Sequence, residues 1–130
     1  MTKILIVEDN EMNRDMLGRR LQRQGFTIVF AIDGPSGVAM ASQEMPDLIL
    51  MDVALGDMDG WEATRLIKAN PQTASIPVIA LTAHALATAR ATSVKVGCME
   101  FDTKPVDLPR LLGKINHCLE ASGRAAARAS

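Results

Sequence analysis

Several features that would assign this chain of 130 residues to a particular class are missing from it. No apolar run approaches the roughly 20 residues that span a bilayer, and the N-terminus carries no charged and then apolar secretion signal. The formal net charge is only -1, which provides no basic field for holding nucleic acid. These absences predict a soluble, cytoplasmic protein that binds neither membranes nor nucleic acids.

Cysteines and nucleotide-binding motifs are equally scarce. The two cysteines, Cys98 and Cys118, show no CxxC spacing and no nearby histidine cluster, so we expect reduced thiols. The glycine-rich P-loop of nucleoside triphosphatases is absent. With 48% hydrophobic and 22% charged residues, the chain fits one globular domain over residues 1–121, and we expect a disordered tail over residues 122–130.

Short apolar runs alternate with helical patterns. Continuous apolar runs are typical of strands buried on both faces, and two further segments predict a strand nearer the edge and a short fifth strand. The predicted strands are Ile4–Val7, Phe26–Phe30, Leu48–Met51, Val78–Leu81 and Cys98–Asp102. The alternation predicts an α/β fold: a single doubly wound five-stranded parallel sheet of order 2-1-3-4-5 with helices on both faces, the flavodoxin-like arrangement.

Five segments between and after these strands carry helical patterns. Asn10 and Asp107 are suitable N-caps for the first and last helix, and the fourth helix is alanine-rich and predicted to pack weakly. The predicted helices run from Asn10 to Gln24, Ser36 to Glu44, Trp61 to Asn70, His84 to Val96, and Asp107 to Leu119.

Polar side chains follow four of the predicted strands: Glu8 and Asp9, then Asp52, Thr82 and Lys104. Because the carboxyl ends of parallel strands meet at one edge of the sheet, we expect these side chains to lie close together. Three neighbouring carboxylates raise one another's pKa unless a cation neutralises them. A set of oxygen ligands favours Mg²⁺ as that cation.

This group of side chains favours phosphoryl chemistry. A carboxylate between a metal ion and a lysine is an activated nucleophile for phosphoryl groups, because both cations neutralise charge in the transition state. Asp52 fits the nucleophile, while Glu8 and Asp9 fit metal ligation better. Lys104 supplies a flexible positive charge and Thr82 a hydroxyl for the new oxyanion.

Five short motifs occur in order along the chain: Glu8-Asp9, Met51-Asp52, Met58-Asp59-Gly60, Thr82-Ala83 and Thr103-Lys104-Pro105. In this order and at about these spacings, residues 3–120 resemble response-regulator receiver domains. The resemblance implies a role in two-component or phosphorelay signalling, in which Asp52 accepts a phosphoryl group from a partner's phosphohistidine. It further implies that Mg²⁺ binds Asp9, Asp52 and the backbone carbonyl of Ala54, with Glu8 acting largely through waters.

The same resemblance implies how phosphorylation is read out. Thr82, the backbone of Ala83 and Lys104 would bind the phosphoryl group, and Pro105 would follow a cis peptide bond. Thr82 and Phe101 resemble the switch pair of the family. The signal would leave through the fourth helix, fifth strand and last helix toward a downstream protein, while a histidine kinase or histidine phosphotransfer protein supplies the phosphoryl group.

The resemblance also implies a switch that catalyses only its own phosphotransfer and dephosphorylation, as a monomer or weak dimer. A stand-alone receiver is the first interpretation, because no output domain follows in this sequence. The stretch Asn10–Arg14 resembles receivers attached to hybrid kinases, so a module of a longer hybrid kinase or multidomain regulator is the alternative.

Three positions depart from the pattern of the family. Leu55-Gly56-Asp57 replaces a proline-containing loop and adds a carboxylate beside the predicted site. Ala54 and His84 stand where side chains influence the attacking water, so we expect them to tune the lifetime of the phosphate. Phe101 lacks the hydroxyl of the tyrosine found in some relatives, and we expect it to favour an inward position.

Two rival functions share parts of this pattern. A flavodoxin-like FMN-binding protein needs a phosphate-binding loop after its first strand, but Glu8-Asp9-Asn10-Glu11 would repel a phosphate. A Mg²⁺-dependent phosphohydrolase with an aspartyl nucleophile usually carries that residue on its first strand and has a cap domain. No residues of this sequence are left over for a cap.

Overall fold

The computed structural model of the chain describes residues 2–83 and 87–123. Five parallel strands form one sheet in the order β2-β1-β3-β4-β5, which confirms the predicted fold. The strands are β1 Lys3–Val7, β2 Thr27–Ala31, β3 Leu48–Asp52, β4 Val78–Thr82 and β5 Glu100–Thr103. The helices are α1 Glu11–Arg23, α2 Gly34–Glu44, α3 Gly60–Ala69, α4 Ala87–Val96 and α5 Leu108–Ala121.

Each face of the sheet is covered by its own hydrophobic cluster. Side chains alternate along β1, so that Ile4 and Ile6 enter the first cluster and Leu5 and Val7 the second. Helices α1 and α5 complete the first cluster, and α2, α3 and α4 complete the second. The central strands are therefore apolar on both faces, which explains their uninterrupted apolar sequences.

Side chains cap four of the helices. Asn10, Asp33, Asp59 and Asp107 each accept a hydrogen bond from the backbone N–H three residues further on. Asn10 and Asp107 are the caps predicted from the sequence. Each cap fixes where its helix begins at the carboxyl edge of the sheet, which is where the polar strand ends meet.

The edge strand β2 differs from its prediction by one residue. Phe26 is buried before the strand, whereas Phe30 is 37% exposed. A Cβ atom at Gly18 in α1 would lie 2.6 Å from Cζ of Phe30, so a larger residue there would require the tip of the Phe30 ring to shift. The glycine that weakens α1 as a helix former thus leaves room for this ring.

Helix α5 ends at Ala121, and most of the segment predicted as a tail, residues 124–130, lies outside the described residues. Among the helices of residues 2–83 and 87–123, none has both the length and the apolar character to cross a bilayer.

Candidate functional site

The sheet order brings the ends of β1 and β3 side by side, because Val7 is paired with Met51. The acids that follow these positions are Glu8, Asp9 and Asp52. One carboxylate oxygen of each lies within 4.8 Å of the others. The structure therefore places together the three acids that the sequence locates at one edge of the sheet.

Asp52 is the innermost of these acids. It ends β3 and is 3% exposed. Its Oδ1 accepts a hydrogen bond from the backbone N–H of Ala54 at 3.2 Å and lies 3.1 Å from Nζ of Lys104. A buried carboxylate with a cation at hydrogen-bond distance is oriented by that cation.

Lys104 connects two of the three acids. Its Nζ lies 3.1 Å from Oε1 of Glu8 as well as 3.1 Å from Oδ1 of Asp52. Its backbone N–H donates to the carbonyl of Thr82 at 2.8 Å, which anchors the residue to the end of β4. Burial lowers the pKa of Lys104, but the attraction of Asp52 and Glu8 outweighs burial and raises that pKa overall.

Glu8 is buried beside Asp52, with 6% of its surface exposed. Burial and the neighbouring Asp52 raise the pKa of Glu8 to about 7. Its Oε2 accepts a hydrogen bond from the backbone N–H of Asn10 at 3.2 Å. The resemblance implies that Glu8 acts through waters, and the structure adds a direct ion pair with Lys104.

The raised pKa of Glu8 predicts a pH-dependent stability in the metal-free protein. Folding raises the pKa from 4.5 to about 7, so the folded chain holds this proton more tightly than the unfolded chain. Stability should therefore fall as pH rises from about 4.5 to 7, by about 3 kcal/mol. Urea unfolding in EDTA at several pH values measures this, with Glu8→Gln as the reference variant. Equal pH slopes for the two proteins would contradict the assignment.

Thr82 and Ala83 lie at the end of β4, next to β5. Thr82 is 4% exposed and its Cα pairs with that of Thr103. Ala83 follows the strand and is exposed. The peptide bond between Lys104 and Pro105 is cis. These residues form the β4–β5 side of the edge, from which the Lys104 side chain reaches Glu8.

Phe101 lies in β5 and is packed against the second hydrophobic cluster, but it is only partly buried. The guanidinium carbon of Arg90 lies 5.2 Å from the centre of its ring, and Nζ of Lys114 lies 5.5 Å from it. Two cations thus lie over the ring, which favours its present position. From the sequence we expected the ring to point inward. The ring packs against the second hydrophobic cluster, but part of it is exposed to solvent.

The loop after β3 is fixed by a close backbone approach. A Cβ atom at Gly60 would lie 2.2 Å from the carbonyl oxygen of Asp52. Leu55 is buried, whereas Gly56 and Asp57 are exposed. Among the described residues, Asp57 is not part of the cluster of three acids. Its charge therefore acts on the site from outside the cluster.

Of the two residues expected to tune the phosphate lifetime, Ala54 and His84, the structure describes only Ala54. Ala54 is exposed and donates its backbone N–H to Asp52. His84 lies outside the described residues. The structure also shows a contact that the sequence motifs do not indicate. The Arg14 guanidinium donates a hydrogen bond to the backbone carbonyl of Glu8 at 3.0 Å. An arginine one turn into α1 was the available sequence signal.

The acidic cluster fits a divalent cation. Its donors are carboxylate oxygens on two adjacent strand ends, and hard oxygen ligands are those that Mg²⁺ prefers. Two of the acids are nearly fully buried while Asp9 is exposed, so the cluster is open on one side. A metal ion bound there keeps access to water and to an incoming phosphate.

Comparison with known proteins agrees with this geometry. The family pattern of the response regulator receiver domain matches residues 4–116. Protein PilH of Pseudomonas aeruginosa is 37% identical over 119 residues, which cover 92% of this chain and 98% of PilH. The polar-differentiation response regulator DivK of Brucella ovis is 34% identical over 120 residues, which cover 92% of this chain and 98% of DivK.

Solved structures give the same result. The chemotaxis protein CheY4 of Vibrio cholerae superposes with a TM-score of 0.87 at 28% identity, covering 92% of this chain and 99% of CheY4. The receiver domain of the sensor histidine kinase PA1611 of Pseudomonas aeruginosa PAO1 superposes with a TM-score of 0.82 at 33% identity, covering 94% and 98%. That domain carries a magnesium ion coordinated in its active site cleft.

Proposed function

The chain belongs to the response regulator receiver family and has a phosphoacceptor role in signalling, and we propose that Asp52 is the residue that accepts the phosphoryl group. The observation that supports this choice is the position of Asp52 at the end of β3, with Lys104 at 3.1 Å and two further acids beside it. Labelling by phosphoramidate with Mg²⁺ present, and its loss in Asp52→Asn, tests the proposal.

Transfer would form one bond and break another. An oxygen of Asp52 forms a bond to phosphorus, while the bond from phosphorus to the imidazole nitrogen of the donor breaks and the electron pair stays on that nitrogen. Lys104 can neutralise negative charge on the transferred phosphoryl group, because its Nζ already contacts Oδ1 of Asp52. The hydroxyl of Thr82 and the backbone N–H of Ala83 supply further hydrogen bonds to the phosphoryl oxygens.

Asp9 and Asp52, with the backbone carbonyl of Ala54, are the ligands that we propose for Mg²⁺, and Glu8 completes the acidic surroundings. A bound Mg²⁺ neutralises charge on the transferring phosphoryl oxygens. The carboxylate of Asp9 is exposed, so a cation can reach it directly from solvent. Lys104 pairs with both Glu8 and Asp52 and so offsets part of the repulsion between them.

The readout would pass from Thr82 to Phe101. Thr82 lies on β4 beside β5, where Phe101 is held under Arg90 of α4 and Lys114 of α5. A phosphoryl group that draws the Thr82 hydroxyl toward it changes the space available to the ring. The ring then shifts its contacts with the two cations, which alters the α4–β5–α5 face that we propose for a downstream protein.

The phosphodonor would dock against α1. A groove of about 490 Å³ extends from Glu8 and Lys104 along this helix, and Met16 and Arg20 line it. Met12 is 75% exposed and Met16 is 47% exposed. Because Glu8 and Lys104 line the groove and Lys104 contacts Asp52, a helix seated in the groove would bring a phosphohistidine close to Asp52. We propose a histidine kinase or histidine phosphotransfer protein as the occupant.

A negative charge introduced on α1 should slow phosphotransfer from a protein donor but not labelling by a small-molecule donor. Met16→Glu should slow transfer from phosphorylated histidine phosphotransfer proteins about tenfold, since an apolar side chain that lines the groove no longer becomes buried. Labelling by phosphoramidate should be unchanged. Met45→Glu, at the end of α2, is the control. Equal rates for wild type and Met16→Glu across a panel of such donors would contradict α1 as the docking helix.

Three further properties complete the proposal. The chain acts as a switch that catalyses only its own phosphotransfer and dephosphorylation, as a monomer or weak dimer. Family membership supports a cytoplasmic location. The coverage of about 98% of PilH and DivK supports a stand-alone receiver, and the likeness to the PA1611 receiver supports a module of a sensor kinase as the alternative.

A further inference from the structure

Asp102 is a buried acid outside the cluster at the sheet edge. It lies in β5 and is 3% exposed. Its Oδ1 accepts hydrogen bonds from Nε of Arg110 at 2.8 Å and from the backbone N–H of Thr103 at 2.9 Å. Within residues 2–83 and 87–123, Oδ2 has no hydrogen-bond partner. A buried ion pair with an unsatisfied oxygen is a poor source of stability, but it fixes the groups that it joins.

Arg110 extends this contact to the end of β5. Its guanidinium also donates to the carbonyl of Thr103 at 3.2 Å, directly before Lys104. On the β4 side, the backbone N–H of Lys104 donates to the carbonyl of Thr82. The backbone around Lys104 is thus held from both sides, by α5 through Arg110 and by β4 through Thr82. This fixes the point from which the Lys104 side chain reaches Glu8 and Asp52.

Lys114 extends the contact in the other direction. Its Nζ lies 3.8 Å from Oδ1 of Asp102 and 3.7 Å from Oε1 of Glu100. It donates to the carbonyl of Phe101 at 2.6 Å and lies over the ring of that residue. The charge of Asp102 therefore helps to hold Lys114 where it contacts Phe101.

We propose that Asp102 is a positioning residue that links the phosphate-binding end of β5 to Phe101, through Arg110 on one side and Lys114 on the other. It touches no reacting atom. Loss of its charge loosens the backbone at Lys104 and releases Lys114 from the ring of Phe101. The part of the inference that concerns phosphotransfer rests on the proposed function of Asp52, whereas the part that concerns Phe101 does not.

Fluorine NMR of the chain labelled with 4-fluorophenylalanine tests the link to Phe101. The chain contains three phenylalanines, so three resonances are expected, and Phe101→Leu identifies one of them. Asp102→Asn and Arg110→Gln should each shift the Phe101 resonance and leave those of Phe26 and Phe30 in place. Arg110 is largely on the surface, so its variant keeps the test valid if Asp102→Asn folds poorly.

Phosphoramidate labelling with saturating Mg²⁺ tests the link to Lys104. Each variant should label about fivefold more slowly, less than the loss of a direct charge-assisted contact, because the effect passes through the backbone. The double variant should be no slower than either single variant, since both remove one interaction. Glu44→Gln breaks an ion pair with Lys3 at the opposite edge of the sheet and should label as wild type does.

An unmoved Phe101 resonance, or a wild-type labelling rate in both single variants, would overturn the inference and leave Asp102 a structural residue. These outcomes are distinct from a failure of the proposed function. If the wild type takes up no phosphate, the fluorine spectrum still tests Asp102. If Asp52→Asn loses labelling while Asp102→Asn retains the full rate, this inference alone fails.

Discussion

Asp52→Asn should remove acid-labile phosphate from the protein entirely, a loss of at least about a hundredfold in labelling rate, because the amide is a poor nucleophile for phosphorus. The substitution keeps the size of the side chain, so the fold should stay intact. The measurement is incubation with phosphoramidate and Mg²⁺ followed by intact-mass analysis. EDTA added to the wild type should have a similar effect, because it removes the Mg²⁺ that we propose for the cluster of three acids.

The matched control for this experiment is Asp57→Asn. Asp57 is exposed in the loop that follows β3, and it lies outside the cluster of three acids. Its variant should label at a rate within about twofold of wild type, since an exposed charge outside the cluster is largely screened by solvent and salt. Undiminished labelling of Asp52→Asn, or loss of labelling in Asp57→Asn instead, would contradict the assignment.

Lys104→Met should have the second largest effect, on both chemistry and stability. The variant keeps the length of the side chain but leaves Glu8 and Asp52 without the cation 3.1 Å from each. Breaking a buried ion pair on one side is costly, so we expect a loss of about 2 kcal/mol in the metal-free protein, allowing for the partial exposure of Lys104. Labelling should slow about a hundredfold, because a cation at the phosphoryl group is missing.

Two comparisons make the Lys104 experiment specific. Lys95→Met removes an exposed charge from α4 and should change neither stability nor labelling. Because Glu8 takes up a proton near pH 7, the loss of stability in Lys104→Met should be smaller at pH 5.5 than at pH 8. Urea unfolding in EDTA at the two pH values measures this. A loss that is the same at both would show that Lys104 does not neutralise Glu8.

The sequence predicts the sheet and its edge well because both depend on local patterns. The uninterrupted apolar runs of β1, β3 and β4 require burial on both faces, and parallel crossovers then bring their carboxyl ends together. The closeness of Glu8, Asp52 and Lys104 follows from strand order alone. Long stretches of chain separate these residues, yet each lies at or directly after the end of a strand.

The beginning of β5 was predicted less well, for a reason that is not local. Cys98 was predicted as its first residue, but the backbone N–H of Cys98 donates to the carbonyl of Ser93 and so closes the end of α4. The strand begins at Glu100, where pairing with Ile79 starts. The apolar character of Cys98 reflects its burial beneath α4 rather than a place in the sheet.

The ionic contacts around Phe101 and Asp102 were not predicted. Arg90 and Lys114 come from different helices, and their positions over the ring depend on how α4 and α5 pack on β5. Asp102 and Arg110 meet for the same reason. The one available sequence signal was an acid inside a predicted strand, since a charged residue there must find a partner or face solvent.

The most direct test of the account is to locate the phosphoryl group itself. The wild-type chain is phosphorylated with phosphoramidate and Mg²⁺, the acyl phosphate is reduced with borohydride, and the modified residue is identified by peptide mass spectrometry. Asp52 is expected to be converted to homoserine, while Asp9, Asp57 and Asp59 remain unmodified. Conversion at another aspartate, or at none, would contradict the assignment.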